Sequence, residues 1–401
     1  MGMFAGVCET DITPPLGVQM SSTDGAGRQC TTIHDPLYGR ALVLDNGLER
    51  ITIVSADLRG LPTQMAAETR GAVADRIGTR PEAVLLCCTG THGSPHTSAD
   101  RGDPAYLDVM RRKLIGVAVQ AADSLQPAHL TYGETSAQIG VSCRLATPDG
   151  RLDRGRNYAG PAAPTVQSLC VNSANGQLLA LVFSHACQAA TLPQDSTAVT
   201  AEWPGAAVEA LRARFRKEAS DGGVREDTLP IFLQGCGADI MPVRQGHWEA
   251  VRENGMQIAE AAHAARWNAH GRQEETLSAQ EATVNLEGTD TGSMAFTIAH
   301  LQLGGIHLFA FPAEMGVQYQ IDFAAQCPSP VLCLALANGN IGRVATDEEC
   351  RRGEIKGRAS NWAAPTCTAA AESVIRSAVY NLVGANAPDH SPYALSASTR
   401  P

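Results

Sequence analysis

The side chains with reaction chemistry gather in a few short polar stretches. His92 and His96 share one of them, Thr89-Gly90-Thr91-His92-Gly93-Ser94-Pro95-His96-Thr97. His185 opens another, running into Ala186-Cys187-Gln188, and Glu314 follows Phe311-Pro312-Ala313. Imidazole titrates near neutral pH and serves as general acid, general base or metal ligand, and a carboxylate shares those roles. A lone loop histidine is more often a hydrogen-bonded scaffold group. Two in one loop, with a separate His/Gln loop and a Pro-x-Glu loop, bring the functional reading level with the structural one. No H-E-x-x-H, G-x-S-x-G, P-loop or G-x-G-x-x-G stretch is present, so spacing alone is a weak signal. Cys236 lies in the glycine-bearing turn Gly235-Cys236-Gly237, where backbone N–H groups can lower a thiol pKa. Without a histidine in reach, buried filler is the better reading of that thiol.

These stretches come after apolar runs that read as strands. Ala41 to Leu44 and Ile51 to Ala56 flank the turn signal Asp45-Asn46-Gly47. Ala83 to Cys88 leads into the His92 loop, Leu178 to Phe183 into His185, and Leu229 to Gln234 into the Cys236 turn. Ala295 to Leu303, Ile306 to Phe311 and Val331 to Ala337 are further strand candidates, with Thr283 to Leu286. Helical spacing marks Gln64 to Ile77, Tyr106 to Leu125, Trp203 to Lys217, Glu253 to Ala265 and Cys367 to Val383. Polar loops after strand ends are where α/β proteins place their sites.

The composition excludes several classes. Of 401 residues, 44% are hydrophobic and 18% charged, with 31 Lys+Arg against 41 Asp+Glu and a net charge of −10. An acidic chain is a poor partner for nucleic acid or anionic lipid. No apolar run approaches the roughly 18 residues that a membrane span needs. The N-terminal stretch lacks a basic and apolar secretory pattern, so the expectation is a cytoplasmic protein with reduced thiols. Its 12 cysteines are scattered and form no C-x-x-C.

A family resemblance sharpens these expectations. Asp11-Ile12-Thr13-Pro14-Pro15, then His34-Asp35-Pro36-Leu37-Tyr38-Gly39-Arg40, then Ala56-Asp57-Leu58-Arg59-Gly60 occur in order. After them come the Thr89 to Thr97 loop, Ala186-Cys187-Gln188, Ala201-Glu202-Trp203-Pro204-Gly205, Phe232-Leu233-Gln234-Gly235 with Asp239 and Pro242, Pro312-Ala313-Glu314 and Asn338-Gly339-Asn340-Ile341-Gly342. Together they resemble the neutral/alkaline non-lysosomal ceramidase family, in its N-terminal catalytic domain, over roughly residues 5 to 385. The resemblance implies an α/β fold, one large mixed-sheet catalytic domain over 1–385 without the C-terminal β-domain, and a disordered tail over 386–401.

It also implies zinc amidase chemistry, in which a metal-activated water attacks an amide carbonyl. The family's zinc ligands are two histidines, a glutamate and a tyrosine. Carried over singly, the first histidine falls at Gly90, the second at Gln188 and the tyrosine at Arg343, while Glu314 remains. A further family histidine matches His92 and a helper arginine matches Arg144. A pocket tyrosine falls at Ile355, followed by Lys356, and a serine at Met241. Three of the four inferred ligands are therefore gone, since glycine has no donor, an amide is a poor ligand and a guanidinium repels a cation.

The expectation is that no cofactor is held; the alternative is zinc rebuilt on His92, His96, His185 and Glu314. The substituted pocket favours a small, carboxylate-bearing substrate. His92, Glu314, His96 and Arg144 are the catalytic candidates; Arg343, Gln188, His185, Lys356 and Asp239 are the substrate-binding ones. Three readings are open. The first is a hydrolase of an amide or related acyl bond other than ceramide's. The second is a metal-free relative doing acyl transfer, cyclisation or other acid–base chemistry, and the third an inactive small-anion-binding protein. Neither a nucleic-acid partner nor membrane insertion is expected, and the oligomeric state stays open.

Overall fold

The structure is a computed structural model that describes residues 2–21, 27–269, 274–288, 292–352 and 370–384. Its first elements are β1 (Phe4–Asp11), β2 (Thr32–Ile33), β3 (Tyr38–Asp45), β4 (Arg50–Ala56), α1 (Thr63–Ile77), β5 (Val84–Cys88) and α2 (Pro104–Asp123). Next come β6 (Gln126–Ser136), β7 (Gly140–Ala146), β8 (Leu152–Asn157), β9 (Thr165–Ser173), β10 (Leu178–His185), β11 (Ala198–Val199) and α3 (Glu202–Glu218). They are followed by β12 (Val224–Gln234), β13 (Ile240–Pro242), α4 (Trp248–Trp267), β14 (Leu277–Gly288), β15 (Gly292–Leu303) and β16 (Ile306–Ala310). The last are β17 (Glu314–Met315), α5 (Val317–Gln326), β18 (Val331–Leu334), β19 (Arg343–Val344), α6 (Asp347–Arg351) and α7 (Ala371–Leu382).

Eight strands form one mixed sheet in the order β12-β10-β9-β6-β1-β3-β4-β5, and four form a second, β14-β15-β16-β18. Alternation along the strands explains how they stack. Ala41 and Val43 of β3 join the cluster that holds Val73 and Leu114 of α1 and α2. Leu42 and Leu44 belong instead with Leu301, Leu308 and Leu332 of the second sheet. Likewise Leu181, Phe183 and Phe232 pack with Leu211 and Ile258 of α3 and α4. The layers are thus α1–α4, the large sheet, the small sheet, then α5 and α7. No described helix is long and apolar enough to cross a membrane.

Local chemistry accounts for the element ends. Gly47 has φ +82°, and its N–H donates to Asp45 Oδ1 at 2.7 Å, closing the β3–β4 turn. Asp103 caps α2 by accepting from the Tyr106 N–H at 2.8 Å, with Pro104 in the first helical position. The expected strand over 331–337 stops at Leu334, because Leu336 and Asn338 take left-handed φ of 54° and 61°. The ribbon from β6 to β9 carries no clear apolar run in β8, which forms through antiparallel pairing with β7. The Cys367 start of the last helix and the 386–401 tail lie outside the described residues.

Three parallel strand pairs carry the polar loops: β4/β5, β10/β12 and β16/β18. Their C-terminal ends converge. The Thr89 N–H donates to Ala56 O at 2.9 Å, Gly235 N–H to His185 O at 3.1 Å, and Ala335 N–H to Gln234 O at 2.9 Å. Leu336 N–H donates to Ala313 O at 3.0 Å, joining the Glu314 loop to the same place.

Candidate active site

At that convergence the chain sets arginines among carboxylates. Arg59, in the loop after β4, is buried, with its Nη1 donating to Ser21 O at 2.8 Å. Its Nη2 stands 4.0 Å from Glu314 Oε1, and its Nε is buried without a hydrogen-bond partner among the described residues. Burial lowers its pKa, and Glu314 is the counter-charge that opposes the shift. Glu314 is held by its own N–H donating to Gly342 O at 2.7 Å, and it pairs in register with Arg343 across the β17–β19 ladder.

Glu349 closes the other side. Its Oε1 accepts from Arg343 Nη2 at 2.6 Å and from Arg144 Nε at 2.8 Å. Arg144 keeps a second buried nitrogen, Nη2, without a partner among the described residues. Asp239 accepts from the Val317 N–H at 2.7 Å, and burial, then the neighbouring Glu349 charge, push its carboxyl up to about 7. Asp239, Arg144, Glu349, Ser142 and Asn157 line a cavity of about 420 Å³, within the size range of small-molecule sites. The outer wall is mixed in charge, but Arg352 pairs with Glu348 at 3.2 Å and Arg376 with both Asp322 and Glu372.

His92 is half-buried beside these groups. Its backbone N–H donates to Ala189 O at 3.0 Å, tying its loop to the Gln188 loop. Burial first, then the fields of Arg59 and Arg154, hold its pKa well below 6.5. Arg154 is exposed, lies opposite Arg144 in the β7–β8 register, and has no ion-pair partner among the described residues. Like charges so placed repel, which raises the local potential rather than stabilising the hairpin.

The other candidates fall in different places. Gln188 spends its side-chain amide on Ala238 O, and its backbone N–H donates to Ile240 O at 3.0 Å. His96 is buried behind Arg59, its Nδ1 held by Ser98 Oγ at 2.9 Å, and its pKa is driven to about 4 by burial and then Arg101. His185 is buried under Trp203 at 6.1 Å in an edge contact, with Nδ1 against Thr165 O at 3.1 Å. Lys356 and Ile355 lie outside the described residues. Cys236 is fully buried, its N–H donating to Gln320 Oε1 at 3.0 Å and its thiol in hydrogen-bond contact with that of Cys333. Arg59, Arg154 and Glu349 were not among the sequence candidates. A charged residue two positions after a buried Asp at a strand end was the available signal for Arg59.

His185 and His96 give the fold an acid sensitivity. Both have folded pKa values near 4 against an ordinary 6.5, so between these values the unfolded chain binds more protons. Their contribution is present above pH 6.5 and is lost as pH falls toward 4. The stability of the parent relative to His185→Gln is expected to fall steadily as pH drops from 7.5 to 4. An equal gap at every pH would defeat this assignment.

Zinc is the metal that the resemblance implies, and the donors do not fit it. Among the described residues, no three His, Cys, Asp or Glu side chains come together as a cage. Among the described residues the rebuilt set of His92, His96, His185 and Glu314 does not come together within reach of one ion. Gly90 has φ +77°, and a Cβ there would lie 3.1 Å from Leu336 Cδ1. A histidine at this position would be strained as well as crowded.

Two stacked mixed sheets with helices outside, and a polar site at the joined strand ends, are the fold of the neutral ceramidases. The neutral ceramidase from Pseudomonas aeruginosa superposes with a TM-score of 0.76 over 97% of this chain and 77% of its own, at 16% identity. A ceramidase complexed with C2 matches with a TM-score of 0.76 over 98% and 77%, at 15% identity. At these identities the likeness is one of fold. No family model and no curated sequence matches the chain.

Proposed function

We propose that this chain is a hydrolase acting on an amide or related acyl bond of a small, carboxylate-bearing molecule. The observation that carries the reading is the spare guanidinium donor of Arg144 on the cavity wall, with Arg59 close enough to a neutral His92 to help lower its pKa. Guanidinium groups bind carboxylates and stabilise the oxyanion of a tetrahedral intermediate. His92, neutral at pH 7, takes a proton from the attacking water as its oxygen bonds to the acyl carbon. The imidazolium then gives that proton to the leaving nitrogen as the C–N bond breaks, releasing an amine and a carboxylic acid. Asp239 is a second acid–base candidate, since its pKa lies near neutrality. The neutral-ceramidase fold supports the bond type. The departures at Gly90, Gln188 and Arg343 support a substrate other than ceramide.

The test is a panel of N-acyl amino acids and matched neutral amides, followed by amine release. Carboxylate-bearing members are expected to turn over. Arg144→Lys, which keeps the charge but loses the spare Nη2 donor, should raise KM for them about tenfold and change that of a neutral amide less. Preferential cleavage of the neutral members would overturn the substrate class. Saturable binding of the anions without turnover would favour the inactive anion-binding alternative instead.

A further inference from the structure

We infer that Arg59 is an internal cation that takes a metal's place opposite Glu314. Glu314 is the one survivor of the inferred zinc ligands, and a carboxylate in such a site needs a positive partner. Arg59 Nη2 stands 4.0 Å from Glu314 Oε1, and no other carboxylate among the described residues pairs with it. The position is built from the backbone up. Arg59 N–H donates to Ser94 Oγ at 2.9 Å, Nη1 is anchored on Ser21 O, and the side chain is almost wholly buried. Gly60 comes next because a Cβ there would meet Asn340 Nδ2 at 2.9 Å, so the loop must pass close under the Asn340 turn. A guanidinium so fixed cannot swing away to admit a dication, and a dication on Glu314 would lie about one contact distance from it.

The other former ligand positions agree. The Gln188 amide is committed to Ala238 O, and Arg343 is held on Glu349. Cations therefore stand at the strand ends as part of the chain.

The inference shares its site with the proposed hydrolase but is tested without substrate, so either can fail alone. Zinc content is measured by elemental mass spectrometry on the purified full chain. Melting is followed with added zinc chloride and with chelator. Glu314→Gln, Arg59→Met, their double variant and Arg59→Lys are melted alongside. The expected result is no stoichiometric zinc and no shift with either additive. Glu314→Gln should melt several degrees lower, because it strands a buried guanidinium, and the double variant should recover part of that loss. Arg59→Lys, which keeps the charge, should stay folded and metal-free even if Arg59→Met does not fold. Stoichiometric zinc that disappears in Glu314→Gln would overturn the inference. So would a Glu314→Gln protein that melts like the parent.

Discussion

Glu349→Ala is expected to lower the free energy of unfolding by about 3–5 kcal/mol, the cost of breaking a buried ion pair from one side. One carboxylate oxygen accepts from two arginines, Arg144 at 2.8 Å and Arg343 at 2.6 Å, and all three side chains are at least four-fifths buried. Removing it leaves two guanidiniums without their counter-charge in a place that water reaches poorly. The same residue closes the capping box of α6: Oε2 accepts from the Thr346 N–H at 3.0 Å, and the Glu349 N–H donates to Thr346 Oγ1. That cap adds about 1 kcal/mol. One effect works the other way. Asp239, relieved of its like-charged neighbour, becomes more acidic and compensates Arg144 in part, which holds the loss near the lower figure. Urea unfolding of the parent, Glu349→Ala and Glu349→Gln measures this. Glutamine keeps one acceptor and should fall between the two. A loss below about 1 kcal/mol for alanine would mean that the pair is only a surface contact.

The second large effect is on rate. His92→Ala is expected to cost about 10²- to 10⁴-fold in turnover, the usual contribution of a positioned acid–base group. The melting temperature should change little, because His92 is only half-buried. The pH dependence carries the sign. Burial, Arg59 and Arg154 all favour the neutral ring, so the base form is complete at pH 6.5 and above and is lost only on going lower. The His92 limb of kcat/KM therefore lies on the acid side of 6.5. Arg154→Ala removes one of the two cations and should move that limb upward. A His92→Ala protein that turns over at the parent rate would remove His92 from the reaction. An acid limb unmoved by Arg154→Ala would mean that the exposed guanidinium is screened from the ring.

Much of this molecule was readable along the chain. Near-continuous apolar runs marked β3, β4, β5, β10, β15 and β16, because a strand buried on both faces needs side chains that suit both neighbours. The helices α1 to α4 showed through helical spacing, although the Asp103-Pro104 start of α2 lies ahead of the Tyr106 expected. Polar loops at strand ends drew attention to His92 and Glu314, and the family resemblance to Asp239. The ribbon β6–β9 was not legible, since β8 offers Leu152-Asp153-Arg154-Gly155-Arg156-Asn157 and becomes a strand only against β7. Nor were the environments of His96 and His185. Both looked like ligands in sequence, yet each is a buried, hydrogen-bonded side chain.

The chain by itself therefore determined the fold class, the loops that bear chemistry and, through the family resemblance, the lack of zinc-ligating atoms at Gly90 and Arg343. Those are matters of residue type and spacing, which act over a few neighbours. Tertiary structure alone decided which charges meet. Arg144 and Glu349 stand 205 positions apart, and Arg59 reaches Glu314 only because the ends of both sheets join. The same joining turned Gln188 and His96 toward hydrogen bonds of their own. Electrostatic partnership depends on distance and burial in three dimensions, and neither is a property of spacing along the chain.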